Sequence, residues 1–168
     1  EQMRKVALIT GGAKGIGKAI AIELAKNNYD VVVNYLTSVK EAKQLEEALT
    51  SYGVNVLSYC ADISKEDEVE KMISYIENKL GGVDILINNA AIDLSSMWSE
   101  KTTENFKKTL DVNLLGSYIV SKRCYKESFT FDVAFNIINE SKGSHFDPAL
   151  AELFEECRAD LEAYYFQV

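Results

Sequence analysis

A short run of glycines near the start of the sequence has the residue types and spacing of a phosphate-binding turn. The run is Thr10-Gly11-Gly12-Ala13-Lys14-Gly15-Ile16-Gly17, and it lies between an apolar segment and a helix-like stretch. In such a turn one glycine permits a tight reversal, another lets the backbone approach a pyrophosphate, and a third lets helix and strand pack closely. Backbone N–H groups and the dipole at the start of the following helix also favour anions. The pattern therefore predicts a binding site for phosphate groups.

Three further motifs follow the turn along the chain. They are Cys60-Ala61-Asp62-Ile63, Asn88-Asn89-Ala90-Ala91 and Asp111-Val112-Asn113-Leu114-Leu115-Gly116. Together with the turn, whose spacing is T-G-x-x-x-G-x-G, they resemble the short-chain dehydrogenase/reductase family over residues 4–122. The nearest resemblance is to 3-oxoacyl-carrier-protein reductases and sugar-alcohol dehydrogenases. Ala91 departs from the pattern, because glycine is usual at that position.

The resemblance implies a role for each motif. It implies that the protein binds a nicotinamide dinucleotide and that Asn113 is the family's structural and catalytic asparagine. The residues that it implies as cofactor ligands are Gly11, Lys14, Gly15, Ile16, Gly17, Asn34, Asp62, Ile63, Asn89 and Ala90.

The choice between NADP and NAD depends on the residue at the end of the second strand. An acidic residue there would bind the ribose 2′-hydroxyl of NAD. This position is near Asn34, which is neutral, and Lys14 in the glycine turn is suited to a 2′-phosphate. The sequence therefore predicts NADP as the cofactor, with NAD as the alternative.

The acid/base pair of the resembled family is not identifiable in this sequence. The family has a Tyr-x-x-x-Lys helix, in which the tyrosine transfers the substrate proton and the lysine lowers the tyrosine pKa. Tyr75 with Lys79 precedes the fourth strand, and Tyr118 with Lys122 follows Asn113 too closely, so both pairs are interpreted as neighbours on helix surfaces. We expect a nucleotide-binding domain that is not catalytically competent as it stands. Two alternatives stay open: an NADPH-dependent 3-oxoacyl reductase, acting on a small carbonyl substrate with a site completed unusually or by a partner chain, and a structural chimera without activity.

The C-terminal part of the sequence resembles a different family. Ser121 to Lys126 and Gly143 to Pro148 are similar to segments at the C-terminal end of HD-GYP metal phosphohydrolases, and this resemblance covers residues 121–165. Asp147 is expected to cap a helix that begins at Pro148 and has an apolar stripe. The sequence predicts a helical tail, residues 123–168, packed on a Rossmann domain of residues 1–122. A natural fusion, an engineered chimera and a misassembled sequence remain alternatives.

A competing interpretation keeps the tail within the dehydrogenase pattern. Phe135 to Ser141 has the composition of a fifth strand, and Ser141 would then be the family's catalytic serine. No Tyr-x-x-x-Lys follows it, however, so helices over residues 130–141 and 147–165 are preferred. His145 is the only histidine in the sequence, and one histidine cannot build a two-metal site, so no metal is expected.

The elements that must position these motifs are four apolar, β-branched strands that alternate with helices. The strands are predicted at Lys5–Thr10, Asp30–Tyr35, Val54–Cys60 and Val83–Asn88, and the helices at Lys18–Asn27, Val39–Tyr52, Ser64–Leu80 and Thr102–Lys122. Ser64 and Asp67 have the spacing of a capping box. Because crossovers between parallel strands are right-handed, the sequence predicts an α/β fold with a doubly wound parallel sheet.

Composition limits the partners. The 168 residues have a formal net charge of −8 and no basic cluster, which argues against nucleic-acid binding. No apolar run reaches the ~18–20 residues of a membrane span. Three scattered cysteines suit a reducing cytoplasm. The family resemblance further predicts a homo-oligomer, formed through the apolar residues Phe106, Leu110, Leu114, Tyr118 and Ile119.

Overall fold

The structure, a computed structural model, describes residues 4–93, 102–124, 131–144 and 146–165. The chain divides into two compact units, Glu1–Tyr125 and Lys126–Val168. The first unit contains the sheet, and the described part of the second unit contains three helices.

Four strands alternate with helices in the first unit. In chain order its elements are β1 (Val6–Ile9), α1 (Gly15–Lys26), β2 (Asp30–Tyr35), α2 (Val39–Thr50), β3 (Val56–Cys60), α3 (Glu66–Leu80), β4 (Ile85–Ile87), α4 (Thr103–Leu110), a π-helical segment (Asp111–Gly116) and α5 (Ser117–Cys124). The strands are parallel in the order β3-β2-β1-β4, and Leu8 lies opposite Val32 and Leu86. The predicted fold class, a Rossmann-like doubly wound sheet, is confirmed.

Both faces of this sheet are covered, which explains why its central strands are apolar at every position. Alternate side chains of a strand point to opposite faces. Ala7 and Ile9 of β1 pack with α1 and α2 on one face, whereas Val6 and Leu8 pack with α3 and α5 on the other. Burial on two faces is the property that distinguishes a strand of a parallel sheet from an amphipathic edge strand.

Three local predictions for the first unit need correction. The Ser64–Asp67 capping box is wrong, because α3 begins at Glu66 and Ser64 instead bonds the Asp62 carboxylate through its backbone N–H and its hydroxyl. The helix predicted from Thr102 to Lys122 is interrupted by the π-helical segment. Ile119 is buried in the core, so it is not available on the exposed face proposed for oligomer contacts.

The second unit contains α6 (Phe131–Glu140), α7 (Pro148–Glu156) and α8 (Arg158–Tyr165). The fifth-strand alternative for Phe135–Ser141 is therefore wrong. The Phe135 ring lies 4.7 Å from that of Phe131, one helical turn earlier, and stacks at 4.6 Å on Phe154 of α7. These contacts require a helical spacing, because residues i and i+4 share a helix face.

The second unit also confirms one predicted cap and corrects the predicted stripe. Asp147 accepts hydrogen bonds from the backbone N–H groups of Ala149 and Leu150, and Pro148 is the first helical residue. The single helix predicted over residues 147–165 is two helices in the structure. The first, α7, ends at Glu156, and α8 begins at Arg158, with Cys157 between them. Leu150 and Leu153 are 67% and 55% exposed, so the apolar stripe is not buried along its whole length.

Candidate functional site

A cleft of about 380 Å³ opens at the carboxyl ends of the strands in the first unit. Its lining comes from the turn after β1, the end of β2, the turn after β3 and the loop after β4. Ligands of doubly wound sheets bind at this edge, where the strand order reverses. Seven of the predicted cofactor ligands line the cleft: Gly11, Lys14, Asn34, Asp62, Ile63, Asn89 and Ala90. The other three, Gly15, Ile16 and Gly17, are the first residues of α1.

Two positions of the turn favour glycine, each for a different structural reason. Gly15 has a φ of +54°, which L-residues rarely adopt, and a Cβ built on it would meet nothing within 4 Å. A Cβ on Gly17 would lie 2.8 Å from the Gly11 carbonyl oxygen, so only glycine permits this close approach. The turn is thus tight against its own backbone at Gly17 and open to solvent at Gly15.

Thr10 and Asn89 join the glycine turn to the loop after β4. The fully buried Thr10 hydroxyl accepts hydrogen bonds from the backbone N–H groups of Asn89 and Ala90, at 3.0 and 3.1 Å. The Asn89 side-chain amide donates in return to the carbonyl oxygens of Thr10 and Gly11, at 2.9 and 3.1 Å. Asn89 therefore positions the turn, and its predicted role as a cofactor ligand stays a prediction.

Asn34 also has a structural role. Its side chain is buried, with the residue 2% exposed. The amide donates to the Ala61 carbonyl oxygen at 3.0 Å, and its oxygen accepts from the Gly11 backbone N–H at 3.4 Å. Its side chain thus lies between the glycine turn and the end of β3, while the residue also lines the cleft, so its predicted contact with the cofactor stays a prediction.

Lys14 lines the cleft and forms an ion pair with α2. Its ammonium nitrogen lies 3.0 Å from a carboxylate oxygen of Glu41. The hydrogen bond from Lys14 is the largest influence on the pKa of Glu41 and lowers it. The cation that the sequence assigns to a 2′-phosphate thus has a carboxylate partner in the structure.

Glu68 positions the turn that contains Asp62. Its carboxylate reaches back from α3 to accept from the Asp62 backbone N–H at 2.7 Å. The Asp62 carboxylate accepts from Ser64 at 2.7 Å, which fixes its orientation at the cleft wall. Ile63 follows with its side chain against Gly116 of the π-helical segment, where a Cβ would approach Ile63 to 2.8 Å.

Asn113 fixes the loop after β4 from the opposite side. Its side-chain oxygen accepts from the Ile92 backbone N–H at 2.8 Å, and its amide donates to the Ile92 carbonyl oxygen at 3.0 Å. Ile92 lines the cleft, so Asn113 positions a cleft residue through a paired backbone contact. The π-helical segment containing Asn113 is of a kind that is frequent at functional sites.

The remaining candidates lie away from this arrangement. Tyr75 and Lys79 belong to α3, Tyr118 and Lys122 belong to α5, and none of the four lines the cleft. Ser141 follows α6 in the second unit. His145 lies outside the described residues.

Four residues that hold the site together had no individual role predicted from the sequence: Thr10, Glu41, Glu68 and Ser121, whose hydroxyl accepts from the Asn88 amide at 3.0 Å. Thr10 had a signal, because it is a polar residue at the end of a wholly apolar strand. The others act across 27 or more positions of the chain, or within a turn whose shape the sequence does not reveal.

The fold and the cleft together define a Rossmann-like α/β protein, in which a glycine-rich turn after the first strand opens a helix at the edge where ligands bind. Comparison with known families gives the closer assignment. The family model described as short chain dehydrogenase matches residues 5–140, and the chain belongs to that family. The match extends past residue 122, where the sequence analysis ended its resemblance, and includes α6.

Individual relatives agree with this assignment. A short-chain dehydrogenase/reductase of Armillaria gallica is 37% identical over 142 residues, covering 83% of this chain and 54% of the relative. A 3-oxoacyl-[acyl-carrier-protein] reductase of Staphylococcus epidermidis is 36% identical over 116 residues, covering 69% and 48%. A short chain dehydrogenase of Burkholderia cenocepacia, solved in complex with NADP, superposes with a TM-score of 0.69 at 30% identity, covering 74% and 51%. The chain spans about half the length of these relatives.

Proposed function

We propose that the cleft of the first unit binds NADP, with NAD as a weaker ligand. The observation that supports this most directly is the convergence of the glycine turn, the Asp62 turn and the loop after β4 on one cleft. The Burkholderia cenocepacia relative contains NADP on the same fold. Gly15, Ile16 and Gly17 would hold the pyrophosphate, Asp62 and Ile63 the adenine, and Lys14 the 2′-phosphate. When bound, the cofactor would supply hydride.

The start of α1 fits a pyrophosphate better than the start of α3 does. The first turn of α1 has no acidic residue, whereas the first turn of α3 has Glu66, Asp67 and Glu68. Acidic side chains at a helix N-terminus already satisfy its dipole. At α1 the N-terminus instead faces an open position beside Gly15, which an anion of the ligand can occupy.

Calorimetry with NADPH and NADH tests this proposal. One site per chain is expected, with NADPH the tighter ligand. Gly15→Val should abolish binding, because its side chain would occupy the open position and is strained at this φ. Gly53→Val is the matched control, because Gly53 also has a positive φ and an open Cβ position but lies between α2 and β3. If neither cofactor binds at millimolar concentration, the proposal is wrong.

A second candidate function is NADPH-dependent reduction of a 3-oxoacyl group. It is favoured by the 3-oxoacyl-[acyl-carrier-protein] reductases among the relatives, of which this chain covers about half. We propose that this chain binds cofactor without turnover, because neither Tyr-x-x-x-Lys pair lines the cleft. NADPH oxidation with a small β-keto ester tests this. Measurable turnover would favour a reductase whose site is completed unusually or by a partner chain.

We further propose a homo-oligomer, no nucleic-acid partner and a reducing cytoplasmic location. Phe106, Leu110, Leu114 and Tyr118 are exposed apolar residues of α4, the π-helical segment and α5. The three cysteines are free thiols. No helix within the described ranges is long and apolar enough to cross a membrane. Different ancestry for residues 121–165, and packing of residues 123–168 on the first unit, remain proposals from the sequence.

A further inference from the structure

The ion pair between Lys14 and Glu41 lies at the edge of the proposed cofactor cleft. The two charged atoms are 3.0 Å apart, and the side chains are 59% and 42% exposed. Lys14 lines the cleft together with Thr37 and Ser38, the two residues that lead into α2. Glu41 lies in the first turn of α2, so the fold brings a carboxylate to the cation nearest this wall of the cleft.

This pair has a different consequence for each cofactor. NADP differs from NAD by its ribose 2′-phosphate, and a phosphate competes with a carboxylate for the same ammonium group. NAD lacks the 2′-phosphate, so it makes no such demand on Lys14 and leaves the pair with Glu41 intact. NADP must share or replace Glu41 as the partner of Lys14, and its phosphate then lies near a carboxylate of like charge.

The electrostatic surroundings of Glu41 keep it charged, so that it can compete with a phosphate for the Lys14 ammonium group. Its pKa is lowered, first by the hydrogen bond from Lys14 and then by its own backbone, with Lys14 and Lys40 adding charge attraction. It is therefore ionised at neutral pH. Because the pair is solvent-exposed rather than buried, Lys14 can exchange partners without leaving an unpaired charge in the core.

We propose that Glu41 is a specificity-determining residue that holds Lys14 as an internal counter-ion and thereby reduces the preference of the cleft for NADP over NAD. The inference rests on the proposed dinucleotide binding. It adds an opposing charge that lies six residues beyond the end of β2, and this is a different position from the one whose charge is expected to select between the cofactors.

Glu41→Gln tests this inference, with Glu47→Gln as the matched control. Glu47 is an exposed residue of the same helix that does not line the cleft, so its replacement makes the same change in net charge. In low-salt buffer, Glu41→Gln should tighten NADPH binding about three- to tenfold and change NADH binding by less than about 1.5-fold. The gain should shrink at about 0.5 M salt, where exposed charges are screened. Glu47→Gln should leave the ratio of the two dissociation constants unchanged.

A second measurement isolates the lysine. In a Lys14→Gln background, Glu41→Gln should no longer change the ratio of NADPH to NADH affinity by more than about 1.5-fold, because the two residues would act as one unit. The inference is overturned if Glu41→Gln weakens NADPH, if it shifts both cofactors equally, or if Glu47→Gln has the same effect. Failure of the parent protein to bind either cofactor would instead overturn the proposed function, so the two failures are distinguishable.

Discussion

The buried Thr10 hydroxyl offers the sharpest test of how the site is held together. It accepts two backbone hydrogen bonds from the loop after β4, at 3.0 and 3.1 Å, and donates to the Ile87 carbonyl oxygen at 3.4 Å. Thr10→Val replaces this hydroxyl by a methyl group of nearly the same shape. The partly buried N–H groups of Asn89 and Ala90 then lose their partner, since Thr10 is fully buried and the side chain that replaces it offers no acceptor.

The expected loss of stability follows from the number of hydrogen-bonding groups that Thr10→Val leaves unpaired. A buried N–H without a partner costs about 1–3 kcal/mol, and the two N–H groups here are partly buried, so Thr10→Val should lower the free energy of unfolding by about 2–4 kcal/mol. Thr10→Ser keeps the hydroxyl and removes one methyl group, which costs about 1 kcal/mol. The order of the two variants therefore separates hydrogen bonding from packing.

Urea unfolding monitored by far-UV circular dichroism measures these differences, provided that the slope against denaturant does not change. Thr109→Val is the control, because the Thr109 hydroxyl donates to a carbonyl oxygen of its own helix, that of Asn105, and its loss should cost less than about 0.5 kcal/mol. The reasoning is refuted if Thr10→Val is as stable as the parent protein, or if Thr10→Ser is the less stable of the two.

Three further predictions follow from named contacts. Asn34→Leu should lower the free energy of unfolding by about 2–4 kcal/mol, because it leaves the Ala61 carbonyl and the Gly11 N–H unpaired. The ratio of NADPH to NADH affinity should stay the same, and a changed ratio in titrations would contradict the structural role. Burial raises the pKa of Cys124 from 9.0 to about 11, so its thiolate fraction at pH 8 should be roughly 100-fold below that of an unperturbed thiol. The rate of its alkylation by iodoacetamide, followed by mass spectrometry, should be lower by the same factor. The folded state holds this proton more tightly, so its contribution to stability is complete below pH 9 and lost between pH 9 and 11; rising stability over that range would contradict the assignment. Leu114→Glu should convert the proposed homo-oligomer to monomer in sedimentation velocity, and an 18.8 kDa parent species would reject the oligomer itself.

The sheet was predictable because its signal is local. A strand buried on both faces needs several consecutive apolar residues. The run Val31, Val32 and Val33 has this pattern, and all three side chains are buried in the structure. The glycine turn was predictable for the same reason, since its residues are neighbours in the sequence. Residues 131–140 were ambiguous, because a short apolar run fits a strand or a buried helix. The ring stack between Phe135 and Phe154 favours the helix, and this contact joins residues that are distant along the chain.

Side-chain partners within the site were not predictable by spacing. Asn34 could face either the cleft or the turn, and the choice depends on where Gly11 and Ala61 lie in three dimensions. Ser64 has the spacing of a capping residue, but α3 begins at Glu66, and Ser64 instead donates from its backbone N–H and its hydroxyl to the Asp62 carboxylate. Lys14 matches a phosphate ligand by sequence, whereas its partner in the structure is supplied by the next helix. In each case the sequence indicated a role for the residue, and the partner that it contacts in the structure was not predictable from spacing.

Binding and turnover have different structural requirements in this chain. The cleft needs four turns held in one arrangement, and Thr10, Asn34, Glu68 and Asn113 hold them through hydrogen bonds to backbone groups. Turnover additionally needs a proton donor beside the substrate carbonyl, and the cleft-lining residues include Tyr35 but no lysine four positions after it. The pKa of Tyr35 is raised by burial and by the nearby Cys60 and Glu46, the opposite of the shift that a lysine neighbour gives a catalytic tyrosine. The described residues thus form a cleft whose assembly does not depend on an acid/base pair, so cofactor binding can be measured on this chain whether or not NADPH is oxidised.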